Sequence, residues 1–159
     1  MTLYLIGSLR NPRIVEIGNV LRDAGYDVFC DWHAGGPQAD DEWMRYEKQR
    51  GRTYKQALAG YHAAHVFEFD LHHLNRADAA VLVTPAGKSA HLELGYIIGR
   101  DKPGYILIED EPERWDVMTL FATKVCFSLQ ELIDALKEGR TFGDAHLAAI
   151  EEPGRRTVD

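Results

Sequence analysis

The chain has 159 residues, a length that fits one domain with a sizeable core. Its formal net charge of −7 argues against a general binder of nucleic-acid polymers or acidic membranes, because neutralising phosphates needs clustered Lys and Arg. No signal peptide or membrane-spanning apolar run is visible, and Cys30 and Cys126 lie in apolar segments typical of reduced thiols, so we expect a cytoplasmic protein.

Strands and helices alternate from the first residues of the chain. In order, the first half is predicted to contain a strand at 3–7, a helix at 12–24, a strand at 27–31, a loop at 32–41 and two helices within 42–76. Gly51 is the predicted break between those two helices, and Asp40 or Asp41 can cap the first of them.

The same alternation continues in the second half. It is predicted to contain strands at 79–84, 104–108 and 125–127, a helix from about Ala90 to Gly99, a short helix at 115–122 and a last helix at 128–137. Ser89 is the predicted N-cap of the helix at 90–99, and Ser128 opens a capping box with Glu131. We expect one domain over 1–138 and a polar tail at 139–159.

Short apolar strands that alternate with helices predict a flavodoxin-like, or Rossmann-like, α/β fold. Its parallel sheet would have five strands in the order 2-1-3-4-5, with helices on both faces. A ligand crevice is expected between the loops that follow strands one and three, because the strand order reverses there. Those loops read GSLRNP and TPAGKS.

Glu93 is the carboxylate best placed for chemistry at that crevice. It lies one turn into the predicted helix at 90–99 and off the buried stripe of that helix. We expect it to stay ionised near the helix N-terminus, where it could act as a nucleophile or base. The alternative interpretation is a solvated surface glutamate that the helix dipole favours.

Four segments together resemble the nucleoside 2-deoxyribosyltransferases and the related deoxynucleoside monophosphate N-glycosidases. They are YLIGSLR, FEFDLHHLNRADAAVLV, HLELGY and RWDVM, and the resemblance spans about residues 3–137. It implies that Glu93 is the nucleophile at the anomeric carbon of the sugar. It further implies that Asp70 handles the proton of the base and that Tyr4 orients Glu93.

The resemblance also implies where the rest of the substrate would lie. The implied substrate-binding residues are Gly7, Ser8, Arg10, Gly87, Lys88, Ser89, Asp116 and Met118. The first three would line the sugar and its 5′ end, whereas Asp116 or Met118 would come from a neighbouring subunit. A homodimer or a higher homo-oligomer is therefore implied.

One departure from the family bears on the 5′ end of the substrate. The transferases usually carry an acidic residue six positions before the nucleophile, and here that position is Gly87, followed by Lys88. Arg10 and Lys88 could pair with a 5′-phosphate, whereas Asp116 would repel one. Nucleoside and nucleoside 5′-monophosphate therefore both remain candidate substrates.

The resemblance implies transfer of a (deoxy)nucleoside's sugar to another base, without a cofactor. Two alternatives stay open: an N-glycosidase that passes the sugar to water, and a non-catalytic nucleotide-binding module. Neither a nucleic-acid polymer nor a membrane is expected as a partner. His62, His65, His72 and His73 lack an acidic or Cys partner in a recognisable ligand set, so no metal site is expected. Trp32 and Trp43 are expected to pack under the long loop, and Asp78 to make a structural hydrogen bond.

Overall fold

The computed structural model describes residues 1–139, in which all strands of the sheet are parallel. The strands are β1 (Thr2–Ile6), β2 (Asp27–Phe29), β3 (Ala79–Val83), β4 (Gly104–Leu107) and β5 (Lys124–Cys126). Their order across the sheet is β2-β1-β3-β4-β5, which confirms the predicted fold class and strand order.

Six α-helices connect or follow these strands in the described part of the chain. They are α1 (Arg13–Asp23), α2 (Ala39–Gln49), α3 (Tyr54–Leu58), α4 (Tyr61–Arg76), α5 (Lys88–Gly99) and α6 (Leu129–Glu138). Two short 3₁₀ helices span Asp31–Gly35 and Val117–Phe121, and the second replaces the short helix predicted at 115–122. None of the helices in residues 1–139 has the length and apolar character needed to cross a bilayer.

Alternation along β1 sends its side chains into two apolar cores, one on each face of the sheet. Leu3 and Leu5 belong to the core that also contains Ile14 and Ile17 of α1 and Leu132 of α6. On the other face, Tyr4 and Ile6 share a core with Leu74 of α4 and with Ala90, Leu94 and Ile97 of α5. Tyr4 therefore lies on the face of the sheet that α4 and α5 cover.

The segment between β2 and β3 contains three α-helices after the 3₁₀ helix, so the prediction of two helices there is wrong. The first begins at Ala39 after Gln38, and Asp40 and Asp41 lie inside its first turn instead of capping it. Gly51, at φ +70°, ends that helix region as expected. Thr53 then starts the short α3 with a capping box, because its side chain accepts the Gln56 N–H while the Gln56 side chain accepts the Thr53 N–H. Sequence periodicity does not resolve a helix of one turn.

Helix α5 begins at Lys88, two residues earlier than predicted. Gly87, in extended backbone geometry, is its N-cap residue, and Ser89 lies in the first turn without capping it. The carbonyl of Gly87 instead contacts His91 Nδ1 at 2.8 Å. At α6, the predicted cap is confirmed: Ser128 Oγ accepts the Glu131 N–H at 3.1 Å. The predicted polar tail, apart from Gly139, lies outside the described residues.

Candidate active site

A cleft of about 370 Å³ opens at the carboxyl ends of β1 and β3. One wall is the loop after β1, and the other is the loop after β3. The lining residues are Ser8, Arg10, Asn11, Pro12, Pro85, Ala86 and Gly87. This is the edge of the sheet where the strand order reverses and where the sequence predicts a ligand crevice.

Short-range hydrogen bonds hold the loop after β1 in one shape. Ser8 Oγ accepts the Arg10 N–H at 3.1 Å, and the carbonyl of Ser8 accepts the Asn11 N–H at 2.9 Å. The buried Asn11 side chain accepts the Arg13 N–H at 3.0 Å. Gly7, just before, packs so closely on α1 that a Cβ there would lie 2.5 Å from the end of the Ile14 side chain. These contacts fix the shape of the loop after β1, which is the candidate substrate loop.

Three titratable side chains from three elements interact electrostatically. Tyr4 of β1 is 1% exposed, whereas Asp70 of α4 and Glu93 of α5 are half-buried. Burial, and then the charges of Glu93 and Asp70, raise the pKa of Tyr4 far above its usual value. Burial raises the pKa of Asp70 to about 6. Burial and the charge of Asp70 raise the pKa of Glu93 to about 7.

The expectation that the helix N-terminus keeps Glu93 ionised is therefore not met, because the pKa of its carboxyl group is raised. Its carboxyl group is partly withdrawn from water and faces a second carboxylate, and both effects favour the protonated form. These two effects outweigh the helix N-terminus, whose influence fades beyond the first turn. The alternative of a solvated surface glutamate is also wrong, because Glu93 is half-buried.

An aromatic cluster supports this group of side chains from the β2 side. The Phe29 ring lies 5.2 Å from that of Tyr4 and stacks on His73 at 3.9 Å between centroids. Phe69, which precedes Asp70, packs edge-on against His73 at 4.7 Å. Burial, followed by the positive charges of His72 and Arg76, lowers the pKa of His73. The cluster thus joins β1, β2 and α4 next to Tyr4 and to the helix that carries Asp70.

Some of the sequence-predicted site residues lie elsewhere in the protomer. Lys88 and Ser89 are exposed in the first turn of α5, at the rim of the cleft beside Gly87. Asp116 Oδ1 accepts the Met118 N–H at 2.8 Å and so caps the 3₁₀ helix between β4 and β5. Neither Asp116 nor Met118 lines the cleft, and the Met118 side chain is 62% exposed.

The other residues singled out in the sequence have structural surroundings. Trp32 packs against both cores, and Asp78 Oδ2 accepts the Thr2 N–H at 2.7 Å, as predicted. The ring of His62 lies 6.2 Å from that of Trp43. Within residues 1–139, no three His, Cys, Asp or Glu side chains come together as a group that could bind a metal ion.

Sequence reasoning missed that residues 31–41 contact β1 and its loop. Trp32 Nε1 donates to the carbonyl of Leu5 at 2.8 Å, and His33 Nε2 lies 3.0 Å from the carbonyl of Asn11. Arg10 Nη2 donates to Asp41 Oδ2 at 3.0 Å. These contacts join residues at least 22 positions apart, so no local pattern indicates them.

Comparisons with known proteins identify a structural relative. No protein-family model matches the chain, and no curated protein matches its sequence. Among solved structures, the chain is similar to the 2-deoxyribosyltransferase of the psychrotolerant bacterium Bacillus psychrosaccharolyticus, with a TM-score of 0.56. The two sequences are 19% identical over 84% of this chain and 90% of that one. That protein is described as a biocatalyst for nucleoside synthesis, and at this identity the likeness shows a shared fold.

Proposed function

We propose that this protein cleaves the N-glycosidic bond of a (deoxy)nucleoside through Glu93 and passes the sugar to another base. The observation that carries the proposal is the convergence of Tyr4, Asp70 and Glu93, from three separate elements, on the face of the sheet that α4 and α5 cover. The structural likeness to a 2-deoxyribosyltransferase and the four family-like segments support it.

In the first step, a carboxylate oxygen of Glu93 forms a bond to the anomeric carbon while the bond from that carbon to the base nitrogen breaks. The electron pair of the broken bond stays on the base, which takes a proton from Asp70. The product is a sugar ester of Glu93 and a neutral base. A second base then attacks the same carbon, returns its proton to Asp70 and releases Glu93. This balanced exchange requires no cofactor.

The raised pKa values of the two carboxyl groups suit this exchange. Between about pH 6 and pH 7, the pKa values of Asp70 and Glu93 leave one proton on the pair. Positive charge that develops on the sugar favours the ionised form of Glu93, so the shared proton moves to Asp70 and is available to the leaving base. A buried, neutral Tyr4 hydroxyl can donate to Glu93 and fix the direction of its carboxylate.

A second candidate is an N-glycosidase that passes the sugar of a nucleoside or a nucleoside 5′-monophosphate to water. Its phosphate form is favoured by the absence of a carboxylate at position 87, by Arg10 in the lining of the cleft and by Lys88, which follows Gly87 in the chain. In either reaction, the chemistry at Glu93 and Asp70 is the same up to the sugar ester.

We also propose that the protein works in the cytoplasm as a homodimer or a higher homo-oligomer. Its two cysteines are buried, unpaired thiols, as expected for a reducing compartment. Trp115, Val117, Met118 and Leu120 are each more than 60% exposed, and together they make an apolar surface suited to a second subunit. Met118 could then approach the partner's cleft.

The deciding experiment is chromatography of base release and base exchange over a panel of nucleosides and 5′-monophosphates. We expect exchange in the wild type and a loss of several powers of ten in rate in Glu93→Ala. A slow 2′-fluorinated substrate should leave a sugar adduct, seen in the intact mass of the wild type only. A wild-type rate in Glu93→Ala would rule out Glu93 as the nucleophile, whereas no base release or exchange in the wild type would leave a non-catalytic binding module.

A further inference from the structure

The guanidinium of Arg10 is already engaged in the unliganded cleft. Its Nη2 donates to Asp41 Oδ2 at 3.0 Å, and its Nε lies 3.5 Å from the carbonyl of Pro37. Pro37 lies just before α2 and Asp41 in the first turn of α2, so both partners belong to the segment 31–41. One edge of the guanidinium, the edge formed by Nε and Nη2, is therefore turned to this segment.

The segment that carries Asp41 is anchored, so the ion pair does not depend on two free side chains alone. Trp32 and His33 fasten residues 31–35 to the carbonyls of Leu5 and Asn11. Asp41 itself lies in the first turn of the eleven-residue helix α2, where the helix dipole favours a carboxylate. The position of Asp41 opposite Arg10 thus follows from the same contacts that shape the substrate loop.

The pairing removes the net charge of Arg10 from the cleft. Arg13, the next cation along the chain, is also committed: its guanidinium makes a fork to Glu109, with Nη2 to Oε1 at 2.7 Å and Nε to Oε2 at 3.1 Å. Among the described residues near the cleft, Lys88 is left as the cation without an ion-pair partner. A phosphate that enters this cleft must draw Arg10 away from Asp41 or lie close to the Asp41 charge.

We propose that Asp41 is a positioning residue that sets the specificity of the cleft: by pairing with Arg10, it favours ligands with an uncharged 5′ end over their 5′-phosphates. The proposal rests on the nucleoside-binding function proposed above and names the form of the substrate. A nucleoside, with a neutral 5′-hydroxyl, leaves the ion pair intact and can accept a hydrogen bond from the remaining Arg10 donors.

The side chains of Arg10 and Asp41 are 71% and 46% exposed, so the preference should be modest. Exposed ion pairs are weak, and we expect the charge of Asp41 to change the ratio of nucleoside affinity to 5′-monophosphate affinity by roughly two- to fivefold. An effect of this size is measurable when the same ratio is compared between variants that differ in one charge.

The test compares Asp41→Asn with Asp40→Asn, which removes the same charge from the same helical turn without touching Arg10. Affinities for 2′-deoxyinosine and for its 5′-monophosphate are measured by thermal-shift titration, in the wild-type and the Glu93→Gln backgrounds so that turnover does not consume the probe. Inorganic phosphate is a third probe. Asp41→Glu, which keeps the charge, is the rescue variant.

We expect Asp41→Asn to raise the affinity for the monophosphate and for phosphate roughly two- to fivefold relative to Asp40→Asn, with the nucleoside unchanged. Asp41→Glu should restore most of the wild-type ratio. In parallel, phenylglyoxal should modify Arg10 faster in Asp41→Asn, as read from the mass of the peptide that contains it.

The proposal would be overturned if Asp41→Asn and Asp40→Asn had the same ratio of monophosphate affinity to nucleoside affinity. Weaker monophosphate binding in Asp41→Asn would also overturn it, because it would mean that Asp41 orients Arg10 toward the phosphate. Absence of monophosphate binding to Asp41→Asn would overturn it as well. The affinity measurements do not depend on base release. A failure of the proposed reaction and a failure of the Asp41 specificity proposal can therefore be told apart.

Discussion

Burial raises the pKa of the Glu93 carboxyl group to about 7 and that of Asp70 to about 6. Each would ionise near pH 4 in water. Their shift means that the fold tolerates one negative charge beside Tyr4 more easily than two. A pair that holds one proton near neutral pH can supply a nucleophile and an acid together.

The pH dependence of kcat/KM should reflect this pair. We expect a bell-shaped profile with limbs near the pKa values of about 6 and about 7, because only the singly protonated pair offers both functions. In Asp70→Asn, the alkaline limb should disappear, and the single remaining limb should follow Glu93 at a pKa below about 7, since Glu93 loses the neighbouring charge that helps to raise its pKa. Initial rates of base release over a pH series check this. An unchanged alkaline limb in Asp70→Asn would assign that limb to another group.

Glu93 should also reduce the stability of the protein at alkaline pH. Its pKa in the folded protein, about 7, lies above the ordinary 4.5, so its protonated form favours folding below pH 4.5 and this advantage is lost as the pH rises to 7. We therefore expect Glu93→Gln to raise the free energy of unfolding at about pH 8, by at most about 3 kcal/mol, and to change it little at about pH 4.

Urea unfolding at both pH values measures this difference. Glu68→Gln, an exposed substitution on α4, is the matched control and should be neutral at both. A Glu93→Gln variant less stable than the wild type at alkaline pH would show that the Glu93 carboxylate makes a stabilising contact.

Sequence patterns indicate Glu93 as a candidate site residue, and the family resemblance adds Tyr4 and Asp70. Their roles stay predictions, and the sequence did not indicate their protonation. The apolar strand that precedes Glu93 and the alternation that turns Tyr4 to one face are local patterns, readable without a structure. The pKa of Glu93 depends on how closely α4 packs against it, which is a property of the tertiary structure. The helix-terminus argument used only α5 and therefore had the wrong sign.

At the level of the elements, strand register determines which side chains surround Tyr4. Tyr4 pairs with Phe29 of β2 and with Ala80 of β3, so its ring lies between an aromatic neighbour and the small side chain of an alanine. Small residues on β3 leave room for the Tyr4 ring beneath α4 and α5. The long connection from β2 to β3 then supplies both Asp70, on α4, and the anchored segment 31–41.

Trp32 should matter for the placement of the substrate loop. In Trp32→Phe, the 2.8 Å hydrogen bond to the carbonyl of Leu5 is lost while much of the ring packing remains. We expect the free energy of unfolding to fall by about 1–2 kcal/mol, because one partly buried hydrogen bond and some apolar contact disappear. We also expect KM to rise more than kcat falls, since Ser8 and Arg10 lie on the loop that residues 31–41 support.

Urea unfolding and steady-state kinetics measure these two effects. Tyr61→Phe, at a side chain that is 97% exposed and outside the proposed assembly surface, is the control for removing a polar group from an exposed aromatic ring. Equal losses of stability in the two variants would mean that the Leu5 hydrogen bond contributes nothing measurable.

The elements themselves were predictable to different degrees. Strands β1 to β5 follow from short apolar runs, and each observed boundary falls within two residues of the predicted one. The start of α5 was misplaced because Ser89 is a good cap by type, whereas the backbone enters the helix at Gly87. The contacts of residues 31–41 were invisible because loop sequences carry no periodicity.

At the scale of the whole molecule, the strand order β2-β1-β3-β4-β5 follows from general rules of chain connection. Right-handed crossovers and alternating helices leave few arrangements for five parallel strands. The crevice at the β1/β3 edge then follows from topology alone. How copies of the chain assemble does not follow from these rules, because an interface depends on the details of exposed surfaces.

The apolar surface formed by Trp115, Val117, Met118 and Leu120 is the basis for a prediction about assembly. These side chains lie between β4 and β5 and are 86%, 69%, 62% and 71% exposed, an arrangement that is costly for a monomer in water. We expect sedimentation velocity to show a dimer or a multiple of it. Met118→Asp should shift the population toward the monomer, because a buried unpaired charge opposes association. Val15→Asp, at an exposed valine on α1, should leave assembly unchanged.

A hybrid dimer distinguishes a shared site from a merely structural interface. Suppose that Met118 of one subunit completes the cleft of the other. A dimer of one Glu93→Ala chain and one Met118→Ala chain, which adds no charge to the interface, then contains one site in which both Glu93 and the opposing Met118 are intact. Mixing the two inactive variants should therefore restore part of the wild-type base exchange, up to about a quarter for random pairing with one active site per hybrid. If the mixture stays inactive while hybrids are seen by native mass spectrometry, Met118 serves association alone and each cleft is complete within its own chain.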